Sequence, residues 1–176
     1  MSTSLSRERL VELLDAGRSK RIAVIGDAML DVYLSGDVER ISPEAPVPVV
    51  RVRGRKYALG GAANVAQNVV AIGARCDLVA TVGRDSAGAT LRDTLQRADV
   101  GGASLVTVAR CTTQKTRVLA RSQQLLRVDE EEDVDLDEQD TTRVLDAVRN
   151  AVADADAVVL EDYNKEIGRA SCRERV

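Results

Sequence analysis

Short apolar runs alternate with longer amphipathic segments along most of the chain. Continuously apolar runs predict strands buried on both faces, and apolar residues at three- and four-residue spacing predict helices. The strand candidates are 22–25, 76–82 and 157–160, and the helix candidates are 5–14, 62–72, 87–98 and 139–153. This order predicts an α/β fold with a mostly parallel central sheet.

Two stretches depart from this alternation. Residues 47–53 alternate between apolar and charged, and prolines lie just before or within them, at Pro43, Pro46 and Pro48. Proline has no N–H for a central ladder position, so this strand is predicted at an edge or in a separate sheet. Residues 104–128 contain three further short strand candidates with no helix between them. Together these stretches predict an added β element that stands off the main sheet.

Composition narrows the possible chemistry. The 176 residues are 44% hydrophobic and 30% charged, which is typical of one globular domain. The absence of histidine excludes Ser-His-Asp and Cys-His nucleophiles and His-ligated zinc sites. Three cysteines without C-x-x-C spacing argue against a disulfide framework or structural zinc, and favour a reducing, cytoplasmic compartment. No secretory signal and no membrane span are expected from the pattern.

The net charge of −3 has a local origin. Residues 129–140 hold nine acidic side chains and no basic one. We interpret this run as a solvated loop leading into a helix, because it lacks the glycine turn of a calcium loop. The remainder is mildly basic and suits an anionic small molecule. Nucleic acid is not an expected partner, because the basic residues are scattered and aromatic residues make up only 2% of the chain.

Two carboxylates follow the first predicted strand. Gly26 ends the apolar run, and Asp27 and Asp31 come directly after it. Ligands of open α/β sheets bind at the carboxyl ends of strands, and carboxylates accept hydrogen bonds from sugar hydroxyls. The alternative is that one of these aspartates caps a helix.

Two glycines precede the Ala-rich helix candidate. Gly60 and Gly61 allow close approach of a ligand to the backbone, and Asn64 in the first turn offers both a donor and acceptors to a polyol. The alternative is that the glycines serve only chain bending and close packing. Neither a Gly-Lys-Ser/Thr phosphate loop nor a G-x-G-x-x-G after a strand is present, which argues against P-loop and dinucleotide-binding folds.

Basic side chains alternate with apolar ones on the later strand candidates and on the proline-bearing strand. Guanidinium groups bind phosphate oxygens in bidentate fashion, so a subset on one face would line a sugar-phosphate site. The alternative is that they are exposed charges that protect edge strands. The residues are Lys115, Arg117, Arg121, Arg127, Arg51 and Arg53.

Four stretches together resemble the ribokinase (PfkB) family of carbohydrate kinases. Gly-Gly-Ala-Ala-Asn marks the broad family. Ile-Ser-Pro-Glu-Ala-Pro-Val-Pro narrows the resemblance to the kinases of D-glycero-D-manno-heptose 7-phosphate. A further segment, Gly83-Arg84-Asp85-x-x-Gly88, also fits the family. The four stretches are 26–31, 40–49, 60–66 and 115–129.

The resemblance implies a ribokinase-like three-layer sandwich. A small β lid would be formed by strands near 36–56 and 104–128, and it would pair subunits into a homodimer. Such a lid excludes water during phosphoryl transfer.

The resemblance also assigns roles to single residues. Asp31 and Asn64 would bind the sugar hydroxyls, with Asp27, Gly60 and Gly61 beside them. The cations that would lie near the sugar phosphate are Lys115, Arg117 and Arg121.

The implied reaction is phosphorylation of heptose 7-phosphate at the anomeric hydroxyl. ATP with Mg²⁺ would be the donor, and the product would feed ADP-heptose synthesis for lipopolysaccharide. Two alternatives remain open: a kinase of this family for another sugar or nucleoside, and a non-catalytic sugar-phosphate-binding protein.

The resemblance divides the chain into three parts. Residues 1–20 form an N-terminal helix, and 21–165 form the N-terminal part of a longer kinase domain. Residues 166–176 match nothing in the family, and we interpret them as an unrelated, artefactual tail. The catalytic Asp base and most of the ATP site would lie beyond this point, so the chain alone is expected to be inactive.

Overall fold

The computed structural model describes residues 5–101, 104–121 and 123–163. The elements in chain order are α1 (Arg7–Gly17), β1 (Arg21–Gly26), β2 (Ala28–Ile41), β3 (Pro48–Gly61), α2 (Ala62–Ala71), β4 (Arg75–Val82), α3 (Ser86–Arg97), β5 (Ser104–Thr107), β6 (Gln114–Ala120), β7 (Gln123–Glu130), α4 (Glu138–Ala153) and β8 (Ala157–Glu161).

The main sheet has the strand order β5-β4-β1-β8, and all its pairings are parallel. One face packs against α2 and α3 through a core that includes Val24, Leu78 and Leu91. The other face packs against α4 through Ala23, Val79, Val144 and their neighbours. The described residues therefore form a helix-sheet-helix sandwich, and the predicted α/β class with a mostly parallel sheet is confirmed.

The second sheet has the strand order β3-β2-β6-β7. The outer pairs, β2 with β3 and β6 with β7, are antiparallel, and the central pair, β2 with β6, is parallel. The proline-bearing strand β3 lies at an edge of this sheet, as its prolines predict. The predicted β element that stands off the main sheet is therefore present.

The boundaries of that element differ from the prediction in two places. The strand β2 begins at Ala28, and only one residue, Asp27, separates it from the end of β1. Of the two aspartates that follow the first strand, Asp27 lies between β1 and β2, and Asp31 lies within β2. The strand β5 was predicted to belong to the added element, and this was wrong. It pairs in parallel with β4, because a strand-helix-strand crossover through α3 returns the chain to the same sheet.

The N-terminal helix α1 begins at the predicted cap, where the Ser6 side chain accepts a hydrogen bond from the Arg9 N–H. None of its residues is buried, and Leu10 and Leu13 are both 46% exposed. No helix among the described residues is long and apolar enough to cross a membrane. The predicted tail at 166–176 lies outside the described residues.

Candidate functional site

Asp27 joins three elements at the carboxyl end of the main sheet. Its N–H donates to the Glu161 carbonyl at the end of β8 (3.0 Å), and its own carbonyl accepts from the Ala62 N–H at the start of α2 (3.0 Å). Its carboxylate Oδ2 accepts from the Tyr163 N–H at 2.8 Å. The side chain is only 1% exposed. Asp27 thus holds the ends of β1 and β8 against the start of α2.

Asp31 lies on the neighbouring strand β2, and Arg117 on β6 donates to its Oδ1. The two side chains are 17% and 22% exposed. On its other side the carboxylate lies against Gly60, where an added Cβ would stand 2.9 Å from Oδ2. The hydrogen bond with Asp31 raises the pKa of Arg117 above its usual value. The Asp31 carboxylate is therefore held between a guanidinium and a glycine that leaves room for it.

Tyr33 completes this arrangement on the same face of β2. The Arg117 guanidinium lies over its ring, 5.4 Å from the centroid. The face continues beyond Tyr33 into an open groove of about 400 Å³ that Lys56 and Leu119 also line. Sequence reasoning missed Tyr33. The available signal was the strict alternation of apolar and polar residues from Leu30 onward, which has the period of a strand.

Lys115 lies opposite Asp31 in the register of β2 and β6. Its ammonium contacts Asp129 at 3.2 Å and Glu131 at 3.4 Å. Arg127 also donates to Asp129, at 2.8 and 3.0 Å. Burial raises the pKa of Asp129, but the hydrogen bonds from Arg127 and Lys115 outweigh it and leave the pKa below its usual value. The predicted basic lining therefore carries acidic partners of its own.

Gly61 marks the start of α2. Its φ of +54° is left-handed, and an added Cβ would collide with the Asp27 carbonyl. Glycine is therefore required here for both conformation and space. Among the described residues no side chain caps this helix. Asn64 is exposed in its first turn, one turn from Gly61.

The structure brings some of the predicted residues together and separates others. Asp31, Gly60, Lys115 and Arg117 meet on one face of the second sheet, beside the start of α2. Arg121 lies at the hairpin between β6 and β7, with φ +55°, and its side chain is exposed. It stands about 20 Å along the strand from Lys115 at the usual rise per residue.

Two further basic residues lie away from Asp31. Arg51 contacts Glu39 at 3.4 Å, and Arg53 contacts Asp37 at 3.1 Å, in exposed pairs near the far end of the hairpin of β2 and β3. This position matches the alternative of charges that protect an edge strand.

One more polar group was not foreseen. Tyr163 follows β8, and a hydrogen bond with Glu161 raises the pKa of its phenol. Its backbone N–H meets the Asp27 carboxylate, so the end of β8 borders the same region of the molecule.

The parallel sheet between helix layers, together with a second sheet that carries polar side chains beside a Gly-Gly helix start, defines a carbohydrate-kinase fold. The family model of the pfkB carbohydrate kinases matches residues 19–174. The chain belongs to the pfkB family of carbohydrate kinases.

Curated relatives agree with this family. The chain is 45% identical over 159 residues to the bifunctional protein HldE of Rhodospirillum rubrum, which covers 90% of the chain and 32% of that protein. It is 45% identical over 161 residues to the HldE of Caulobacter vibrioides, covering 91% of the chain and 33% of that protein. The chain spans about a third of the length of these relatives. The family match reaches residue 174, and the interpretation of 166–176 as an unrelated tail stays a prediction.

Solved structures agree on the fold. The tetrameric inhibited form of phosphofructokinase-2 from Escherichia coli matches with a TM-score of 0.64 at 20% identity, covering 81% of this chain and 45% of that one. A carbohydrate kinase from Agrobacterium tumefaciens matches with a TM-score of 0.57 at 22% identity, covering 80% of this chain and 45% of that one.

Proposed function

We propose that this chain is the sugar-binding part of a kinase that phosphorylates D-glycero-D-manno-heptose 7-phosphate at its anomeric hydroxyl. The observation that carries the proposal is the carboxylate of Asp31, held in place by Arg117 and Gly60 beside the start of α2. A fixed, partly exposed carboxylate accepts hydrogen bonds from adjacent sugar hydroxyls without first losing rotamer freedom. Asn64 supplies an amide donor and acceptor one turn into the helix.

The charges on this face support a phosphorylated sugar. Lys115 and Arg117 lie two residues apart on β6 and share one face, because strand side chains alternate. Arg117 keeps donors beyond the one that meets Asp31. In this proposal Arg117 reaches both the sugar and its phosphate, and Lys115 exchanges its contacts with Asp129 and Glu131 for the phosphate oxygens.

Heptose is the proposed sugar on two grounds. The resemblance at 40–49 is to heptose kinases, and the relatives at 45% identity are HldE proteins. The product would enter ADP-heptose synthesis for lipopolysaccharide, in the cytoplasm.

The donor side of the reaction is assigned by family likeness. ATP with Mg²⁺ would supply the phosphoryl group. Within the described ranges no three Asp, Glu or Cys side chains come together to hold a metal ion. We propose that the catalytic Asp base and most of the ATP site lie outside this chain, so that the chain alone transfers no phosphate.

We also propose that a second copy covers the outer strand of the second sheet, as a lid-mediated homodimer. Every residue of β7 is exposed, and Leu126 and Val128 are each 47% exposed. Sedimentation of wild type against Leu126→Glu tests this, with a dimer expected only for wild type.

Calorimetric titration of the 176-residue chain with heptose 7-phosphate tests the substrate proposal. We expect binding by wild type and a loss of about tenfold or more in Asp31→Asn, because a hydrogen bond to a charged group contributes about 1.5–3 kcal/mol. Asp37→Asn is the matched control, since Asp37 lies on the same strand in an exposed pair. We expect it to bind like wild type.

The other outcomes separate the alternatives. Equal or tighter binding of fructose 6-phosphate or a nucleoside would assign the chain to a different substrate. Heptose-dependent ATP hydrolysis by this chain in a coupled assay would refute the proposed inactivity. Equal loss in both aspartate variants would contradict the role of Asp31.

A further inference from the structure

The segment Gly83-Arg84-Asp85-x-x-Gly88 connects the two sheets through one carboxylate. Asp85 Oδ1 accepts from the Gly88 N–H at 2.7 Å and caps α3. Its Oδ2 accepts from the Thr112 N–H, also at 2.7 Å. Thr112 lies on the segment that carries the chain from β5 in the main sheet to β6 in the second sheet. Residues 112–113, which lead directly into β6, are called here the base of the second sheet. The cap of α3 and this base thus share the side chain of Asp85.

Thr112 also accepts a hydrogen bond from this segment, and the two are packed closely together. The Gly83 N–H donates to Thr112 Oγ1 at 2.8 Å. An added Cβ at Gly83 would stand 2.5 Å from Asp85 Oδ2, and one at Gly88 would stand 2.8 Å from Thr112 Oγ1. Burial raises the pKa of Asp85, but the N–H donors of Thr112 and Gly88 outweigh it and hold the pKa below its usual value. Gly83 therefore leaves room for the ionised aspartate, and Gly88 leaves room for Thr112 and the Gly83 carbonyl.

The contact continues from Thr112 to the candidate site. Thr112 and Thr113 are 2% and 3% exposed. The Thr113 carbonyl accepts from the Leu30 N–H at 2.9 Å, at the point where β2 meets β6. Leu30 directly precedes Asp31. The start of α3 is thus connected to the backbone of Asp31 through two hydrogen bonds and the intervening chain.

We propose that Asp85 is a positioning residue that fixes the base of the second sheet, and with it Asp31, through Thr112 and Thr113. This proposal deepens the sugar-binding role of Asp31 and rests on it. A cap alone would need one oxygen on the Gly88 N–H. The second oxygen of Asp85 points to a separate task.

Asp85→Asn separates the two tasks. Asparagine keeps an oxygen for the Gly88 N–H and places an NH₂ group against the Thr112 N–H, so two donors face each other. The matched control is Asp137→Asn in α4. Asp137 caps that helix through the Asp140 N–H at 2.7 Å, a local hydrogen bond that spans three residues, as the one between Asp85 and Gly88 does.

The first measurement is amide hydrogen exchange in the 176-residue chain. We expect Asp85→Asn to speed exchange at 28–31 and 111–116 by about tenfold, because a buried unsatisfied donor costs about 1–3 kcal/mol. We expect Asp137→Asn to leave both segments within twofold of wild type. The second measurement is the affinity for heptose 7-phosphate, which we expect to fall about tenfold in Asp85→Asn only.

A second pair of variants keeps the test valid if Asp85→Asn does not fold. Asp85→Ser keeps one oxygen for the Gly88 N–H and leaves the Thr112 N–H without its acceptor, and we expect faster exchange at 28–31. Asp137→Ser is the matched control, and we expect wild-type exchange at 28–31.

The contrary outcomes are distinct. Faster exchange confined to 86–97 would make Asp85 an ordinary cap and overturn the proposal. Faster exchange at 28–31 with unchanged affinity would also overturn it, since the base of the sheet would then not control Asp31. If wild type itself binds no sugar phosphate, the proposed function fails, and the exchange result still decides whether Asp85 holds the base of the second sheet.

Discussion

The main sheet and the second sheet are stabilised in different ways. In the main sheet Val24, Leu78 and Val79 are fully buried between helix layers. In the second sheet β6 is only partly buried and β7 is exposed along its whole length. Strands β2 and β3 of this sheet add Leu30, Val32 and Leu59 to the core that α2 and α3 cover. Between β6 and β7, contacts of charged side chains such as Lys115 with Asp129 take the place of apolar burial.

The two sheets therefore have different roles, stability in the main sheet and ligand contacts in the second. Apolar burial contributes about 25 cal/mol per Å² and is independent of ligand, so the main sheet provides a stable base. Surface ion pairs contribute about 0–1 kcal/mol each and can be exchanged for a ligand. The second sheet therefore carries the polar groups of the candidate site, with β2 and β3 anchored in the shared apolar core and β6 and β7 held mainly by pairing and polar contacts.

The largest expected effect on the free energy of unfolding comes from a substitution in the core of the main sheet. Val79→Ala removes two methyl groups from a fully buried position, and we expect a loss of about 2–3 kcal/mol in the free energy of unfolding. Val52→Ala on β3 is the matched control, since Val52 is 49% exposed. We expect a loss below about 0.5 kcal/mol there. Urea denaturation measures both, and equal losses would contradict the comparison.

The next largest loss of stability is expected from a substitution at the junction between the two sheets. Gly61→Ala places a Cβ against the Asp27 carbonyl in a left-handed conformation, and we expect a loss of about 2 kcal/mol. Gly17→Ala is the control, because an added Cβ there meets nothing within 4 Å. Thermal unfolding compares them. A Gly61→Ala variant as stable as Gly17→Ala would show that the junction tolerates a side chain.

A smaller effect tests the ion pairs of the second sheet. Arg117→Met leaves the partly buried carboxylate of Asp31 without this donor, and we expect a loss of about 1–2 kcal/mol. Arg149→Met removes an exposed pair with Asp146 on α4, and we expect less than about 0.5 kcal/mol. Denaturation in low and high salt measures both. Similar losses would mean that the Asp31 pair is worth no more than an ordinary surface pair.

The smallest expected effect is the dependence of stability on pH through Asp85. Because the folded pKa of Asp85 lies below its usual value, its contribution to stability is full above a pH of about 4 and is lost as the pH falls through the folded pKa. We therefore expect wild type and Asp85→Asn to differ most near neutral pH and to converge in acid. Unfolding curves from pH 7 to pH 2 measure this. A constant difference across that range would assign the effect of the substitution to packing.

Much of the fold follows from patterns that the chain carries locally. The apolar runs at β1 and β4 predict buried strands of a parallel sheet, and both are buried there. The similar run at β8 also pairs in parallel, but the prediction that it is buried on both faces is wrong for the described residues, since β8 lies at an edge and Leu160 is 70% exposed. The prolines before β3 predict an edge strand. The strand β5 could not be placed in this way, since four residues between a helix and a loop suit either sheet, and only the crossover through α3 assigns it to the main one.

The candidate site likewise has features that local sequence predicts and features that it does not. Asp31, Gly60, Gly61 and Asn64 are predictable from residue type and from their place after a strand or before a helix. The partner of Asp31 is not predictable, since Arg117 lies 86 residues away and meets it through the register of β2 and β6. The same register places Lys115 beside Asp31 and leaves Arg121 at the distant hairpin.

The sequence by itself determined the family, the class of fold and the types of residue that can bind a phosphorylated sugar, because these depend on local pattern and chemistry. Only the tertiary structure decided that Arg117 holds Asp31, that Asp27 is buried as a junction, and that Asp85 joins a helix cap to the base of the second sheet. Each of these depends on segments that are distant in sequence and are brought together by strand register, which no local pattern encodes.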